Sequence, residues 1–369
     1  MFLYVTLSGA VFYFYNYVSF QCLHYLTPSE NSVANTAKRA IIIFGDAAWY
    51  NKIVTLEQYI GSSVCIVGVC LYGMIDELKK KPTADAKAAG PKKDAKLILL
   101  LTLWYVGNFF YSVWNKDAGK WLDTPAAVVT LPPVIKSQYS MSLAAVQLLV
   151  GVVISAGIWS FDPSKLPSCT VADLKKLLPL ALCNAGAHSA SVFALAAGGV
   201  AFGQIVKAAE PVFAAGITTA FYNAKISTGK WVCLVPIIGG IAFSMLTLDR
   251  KTWQPIIDSN FFSLGGLIGA LIANAFAAFK GAEQGKLKHD EGLKARMGGE
   301  ANQYAVVNIL SFLVSVPLMV MYPILNGKSS ASIGENISIV FTNPFSNLSV
   351  SFVSFYLLSY TISHTITRY

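Results

Sequence analysis

Long apolar segments recur from one end of this chain to the other, and they limit what it can fold into more than any other feature. Runs of 18 residues or more lie within 2–25, 30–48, 56–75, 98–116, 138–160, 177–199, 200–223, 230–248, 261–282, 303–323 and 346–366. Each is long enough, or nearly so, to cross the hydrocarbon of a bilayer as a helix. In lipid every backbone N–H and C=O must be satisfied internally, so only helices or a closed barrel can span. Barrel strands alternate apolar and polar residues, whereas these runs are continuous, which argues for helices. The balance of 54% hydrophobic to 13% charged residues excludes an ordinary soluble domain. The expected class is all-α, a polytopic membrane protein.

The polar stretches between the runs set the organisation. Leu26–Glu30 contains Pro28 and reads as a helix break and restart. Residues 76–97 are rich in Lys, Ala, Asp and Pro and read as a solvated linker, the best boundary in the chain. Three spans precede it (1–75) and about eight follow (98–369). Asp173–Lys176 marks another helix start, and Asn336 and Asn347 begin sequons of the kind that arise by chance. The net charge of +9 lies largely in loops, as the positive-inside bias of membrane proteins requires, and implies no nucleic-acid partner. The six cysteines have no CxxC spacing and read as small packing residues, so neither a metal site nor a cofactor is expected. No secretory signal is visible, and the opening of the chain directly in a span suggests an incomplete N-terminus.

Only a few ionisable residues lie inside the runs. Gly203–Phe213 carries Lys207 and Glu210 in otherwise apolar surroundings. A charge at mid-membrane costs about 2.5–3.5 kcal/mol on insertion scales and marks a functional candidate; the bland alternative is a lysine that snorkels to an interface or pairs with Glu210. A second copy of the pattern favours function. Lys38 aligns with Lys207, Asn35 with Gln204 and Phe44 with Phe213, and Trp49-Tyr50-Asn51 answers Phe221-Tyr222-Asn223. Two helix-loop-helix units therefore repeat, each with a lysine in its first helix. Repeats of this kind, with ionisable groups near the midplane, are a mark of secondary transporters. The polar residues within spans are Tyr15, Asn16, Lys38, Arg39, His188, Ser191 and Lys207, with Lys280 near a span end and matching acid only at Glu210. Uncompensated cations in a dry site are costly, so an anion should come and go there. A guanidinium fork, movable ammonium groups and directed hydroxyl or imidazole hydrogen bonds suit a divalent oxyanion, phosphate or a phosphate monoester.

At these residues the chain resembles the plastid triose-phosphate/phosphate translocators of the drug/metabolite transporter superfamily, over nearly its whole length but in rearranged order. Residues 98–366 resemble the family's first to eighth helices and 2–75 its eighth to tenth. The family's histidine-to-lysine stretch matches Cys183–Phe213, with His188, Ser191 where the family usually has Thr, Lys207 and Glu210-Pro211. Its Tyr-Asn motif followed by a Lys-Arg pair matches Tyr15-Asn16 and Lys38-Arg39. The resemblance implies ten helices in two inverted five-helix repeats, here plus about one redundant span. It implies that Lys207, Lys38 and Arg39 bind a phosphate group, that His188, Ser191 and Tyr15 add hydrogen bonds, and that the protein lies in a plastid envelope. The final span repeats the first with Leu358 where Tyr15 stands. The order fits a circular permutation or a piece of two joined translocators, and the doubled eighth helix favours the piece. The family's basic residue near Phe276–Phe279 is displaced or missing, with Lys280 a weak substitute.

The expected function is exchange of inorganic phosphate for a phosphorylated C3 compound. An anion would neutralise Lys207 on one half and Lys38 and Arg39 on the other before the halves rock past each other. A nucleotide-sugar transporter of the same superfamily, an anion channel and a membrane scaffold remain open. An enzyme is the weakest alternative, because the spans hold no paired carboxylates, Ser/His/Asp set or metal-ligand spacing.

Overall fold

The computed structural model describes residues 2–26, 28–51, 55–75, 91–123, 133–198, 200–223, 225–244, 246–248, 255–257, 264–287 and 290–325. The elements are α1 (Phe2–Tyr25), α2 (Pro28–Trp49), α3 (Leu56–Met74), α4 (Pro91–Asp123), α5 (Pro133–Phe161), α6 (Val171–Gly198), α7 (Val200–Lys207), α8 (Glu210–Tyr222), α9 (Thr228–Ser244), β1 (Leu246–Leu248), β2 (Pro255–Ile257), α10 (Leu264–Leu287), α11 (Glu291–Met297) and α12 (Glu300–Leu325). Among the described residues α3, α4, α5, α6, α10 and α12 are six helices long and apolar enough to cross a membrane. The shorter α9 is also apolar. The last expected span, 346–366, and the linker up to residue 90 lie outside the described residues. From Pro91 onward the backbone of the basic stretch is helical.

Two expectations need correction. The eighth run does not stay helical to residue 248: α9 stops at Ser244, and β1 pairs antiparallel with β2, Leu246 opposite Ile257. Among the described residues the fold is thus helical with one short two-stranded ribbon. The seventh run, 200–223, is not one helix but two, α7 and α8, parted at Ala208 and Ala209. Pro211 is the cause. It has no N–H to give the carbonyl of Lys207, four residues back, and its ring crowds that carbonyl. The last turn of α7 tightens instead, with Ala208 N–H shared by the Gln204 and Ile205 carbonyls and Ala209 N–H bonded to Val206 O. Within the membrane a freed carbonyl needs another donor. The fully buried Asn274 of α10 gives its Nδ2 to Val206 O at 2.9 Å.

The chain forms two compact units, each discontinuous in sequence. One gathers α1, α4, α5 and α12. In it α1 packs on α4 and α5, and α12 packs on α5 and α1. Its core joins Tyr13, Phe20 and Tyr304 to a seam of neutral polar side chains. The fully buried Gln147 donates to Ser8 (2.8 Å) and Asn115 (2.7 Å), and Ser155 to the Tyr13 hydroxyl (2.9 Å).

The other unit gathers α2, α3 and α6–α10. Two of its helix starts are capped as their sequences dictate. Thr55 and Gln58 form a reciprocal capping box at α3. At α6, Thr170 Oγ1 accepts from Asp173 N–H while the Asp173 carboxylate accepts from Thr170 N–H. The sequence repeat is visible here as structure. Asn51 and Asn223, equivalent in the repeat, have φ of 48° and 52° and are the non-glycine residues with left-handed backbone among those described. Each ends the lysine-bearing segment and turns the chain into the next helix; asparagine tolerates that conformation better than bulkier residues. The repeats then pack like on like, α2 against α7 and α3 against α9. Gly61 and Gly68 of α3 face Gly240, Ile237 and Ser244 of α9 at backbone contact. The two lysine helices, one from each copy of the sequence repeat, belong to one compact unit.

Candidate functional site

The site is assembled in the second unit from α2, α6, α7, α8 and α10. Because α2 and α7 are equivalent helices packed together, their lysines are brought to one region. Lys38 feels the charges of Arg39, Glu210, Lys207 and Lys280. Lys207 feels those of Arg39, Glu210 and Lys280. Four cationic side chains thus share one neighbourhood with one carboxylate.

The helix break orders these charges. Lys207 is the last residue of α7 and Glu210 the first of α8. The negative end of one helix dipole meets the cation, and the positive end of the next meets the carboxylate. The Lys207 ammonium donates to Ser191 Oγ at 3.0 Å, and Ser191 passes a hydrogen bond to the Ala187 carbonyl of its own helix. Arg39, with its side chain 8% exposed, is ion-paired with Glu210, whose side chain keeps 36% of its surface accessible. Lys280 Nζ donates to Asn184 Oδ1 at 2.9 Å.

α6 supplies the polar wall. Asn184, His188 and Ser191 follow at intervals of four and three residues, so they share one face of the helix, and all three are buried. That stripe spans about 10 Å at 1.5 Å per residue. Lys280 is anchored at one end and Lys207 at the other. Gly186 lies among these residues, where a Cβ would meet the Phe276 ring at 2.8 Å.

Of the residues named from sequence, Lys38, Arg39, His188, Ser191 and Lys207 all fall in this unit. Tyr15 falls in the other. There its ring stands edge-on to Phe12 with centroids 5.6 Å apart and lies 5.4 Å from Tyr111, while Asn16 Nδ2 bonds the Phe12 carbonyl at 2.8 Å. Lys280, read from sequence as a weak substitute near a span end, is a full member of the charge cluster. α10 has no second copy in the sequence to align with, so the residues alone did not single it out. Asn184 was missed because asparagine in an alanine-rich span reads equally as packing. Asp46, 1% exposed in α2, is a buried acid that the inventory of span acids passed over. It stands two turns beyond Lys38.

Comparison with known families matches residues 1–73 and 95–368 to the Triose-phosphate Transporter family, leaving unmatched the stretch that overlaps the linker. The chain is 27% identical over 245 residues to a triose phosphate/phosphate translocator, chloroplastic, of Zea mays, covering 64% of this chain and 52% of the relative. It is 27% identical over 240 residues to glucose-6-phosphate/phosphate translocator 1, chloroplastic, of Arabidopsis thaliana (64% and 54%). A phosphoenolpyruvate/phosphate translocator 1, chloroplastic, of Oryza sativa subsp. japonica is 24% identical over 237 residues (64% and 50%). The chain spans about half the length of these relatives.

Proposed function

We propose a function that proceeds from one premise: the chain belongs to the triose-phosphate transporter family. It is a multi-pass membrane transporter and not an enzyme. The reading is an antiporter that exchanges inorganic phosphate for a phosphorylated C3 compound, such as a triose phosphate, 3-phosphoglycerate or phosphoenolpyruvate, in a plastid envelope. The observation that carries it is the buried arrangement of cations among apolar helices, with Arg39 ion-paired to Glu210 and Lys207 and Lys280 both bonded to the polar face of α6. The three relatives above share phosphate in their names and differ in the phosphorylated partner.

In this reading the guanidinium of Arg39 and the ammonium groups of Lys38 and Lys207 take the phosphate oxygens. Ser191 steadies the Lys207 ammonium, and His188 supplies a hydrogen bond to the rest of the substrate. Ten helices form two inverted repeats, of which α2–α3 and α7–α9 are corresponding parts, with the rearranged order assigned to a permuted or joined gene. Carrying several cations past an apolar barrier without an anion costs far more than carrying them neutralised. Only the loaded carrier then crosses over, and exchange is obligatory.

Counter-flow in proteoliposomes tests this. Labelled phosphate is expected to enter phosphate-loaded vesicles at least tenfold faster than vesicles without internal substrate. Equal rates would remove the exchange mechanism, and a conductance independent of internal substrate would indicate a channel instead.

A further inference from the structure

Of the four cations in the site, Lys207 and Lys280 donate to neutral oxygens, those of Ser191 and Asn184. Arg39 is different: its guanidinium is engaged by the Glu210 carboxylate. It is also the one cation whose planar fork can hold two oxygens of an oxyanion side by side. The group best suited to a phosphate is thus already matched with an acid of the protein's own. The acid is placed so that it can leave. Glu210 begins α8, immediately beyond the break in the helix, and its side chain is 36% exposed while that of Arg39 is 8% exposed.

We propose that Glu210 is an internal competitor for the transported anion, holding Arg39 until phosphate takes the guanidinium over and reclaiming it as phosphate leaves. This rests on the anion-site reading above and adds what that reading lacks, a means of release. A nearly buried guanidinium left alone is costly, so departure of a bound oxyanion would be slow if nothing replaced it. A carboxylate tethered one side chain away replaces it at a high effective concentration. The consequence is weaker binding and faster turnover. If the carboxylate holds Arg39 nine-tenths of the time, the apparent affinity for phosphate falls tenfold, because only the remaining tenth is competent to bind.

The test is Glu210→Gln in the full chain. The amide keeps the length of the side chain and a hydrogen-bond acceptor for Arg39 but gives up the charge. Binding of labelled inorganic phosphate to purified protein and phosphate–phosphate counter-flow in vesicles are measured side by side. Competition predicts a dissociation constant for Glu210→Gln about tenfold lower than wild type, with the maximal exchange rate reduced by a similar factor. A carboxylate that merely holds Arg39 in place predicts the reverse for affinity, and weaker or unchanged binding with a slower rate overturns the proposal. Should Glu210→Gln fail to fold, Glu210→Asp asks the same question, since a carboxylate on a shorter arm competes less well; it too must bind phosphate more tightly and exchange it more slowly. If wild-type protein itself binds no phosphate, the anion-site reading has failed, and the proposal with it. If wild type binds and neither variant binds more tightly, the competition alone is refuted.

Discussion

Gly239 and Gly240 are neighbours on α9, and the structure assigns them opposite responses to one added methyl group. A Cβ at Gly240 would lie 2.6 Å from the Cys65 nitrogen, 2.6 Å from the Gly61 oxygen and 3.0 Å from the Cys65 Cα. All three are backbone atoms of α3, so no side chain can swing aside, and the helices must part. Over-packing of this kind costs about 1–3 kcal/mol, occasionally more. Helix propensity returns about 0.8–1 kcal/mol when Gly becomes Ala. The net for Gly240→Ala is therefore about 0–2 kcal/mol of destabilisation at least. Gly239 is exposed, and a Cβ there meets nothing within 4 Å, so Gly239→Ala keeps the propensity gain alone. The two variants should differ by about 1–3 kcal/mol, the size of the over-packing cost, because the propensity gain cancels between them. Detergent-solubilised protein is heated and the surviving monodisperse fraction followed by size exclusion. The midpoint for Gly240→Ala should fall below that for Gly239→Ala by several degrees. Equal midpoints, or a higher one for Gly240→Ala, would refute the close backbone packing of α3 on α9 and with it the pairing of the two repeats.

Two further outcomes bear on the site. Lys38→Ala should lower phosphate exchange at least a hundredfold while the size-exclusion profile stays that of folded protein; retained exchange would remove Lys38 from the site. Pro211→Ala restores an N–H that can reach the Lys207 carbonyl and lets α7 and α8 run together. It should leave thermal stability equal or higher while exchange falls about tenfold or more, and unaltered exchange would show that the break has no part in transport.

The repeat was the most informative thing in the sequence, because it was legible twice. Lys38 and Lys207 could be matched through flanking residues, and the match extended to Asn51 and Asn223, whose shared left-handed backbone is now seen. Lys280 and Asn184 had no such second copy, so the residues alone could not distinguish a bonded pair from a span-end lysine and a packing amide. The break at Ala208–Ala209 was legible in principle from Pro211. A long apolar run masks it, since hydropathy averages over a window and is blind to one missing N–H.

By itself the sequence determined that this chain is a bundle of membrane helices, because burying polar backbone in lipid leaves little else for runs of this length and composition. It determined too that several cations must be held within that bundle. Only the tertiary structure decided which of them meet and on what terms. Packing of α2 on α7 brings lysines 169 positions apart into one electrostatic neighbourhood. A broken helix places Glu210 against Arg39, 171 positions away, at the point where a dipole favours it. Linear order carries no information about such distances; the interdigitation of glycine-lined helix faces does.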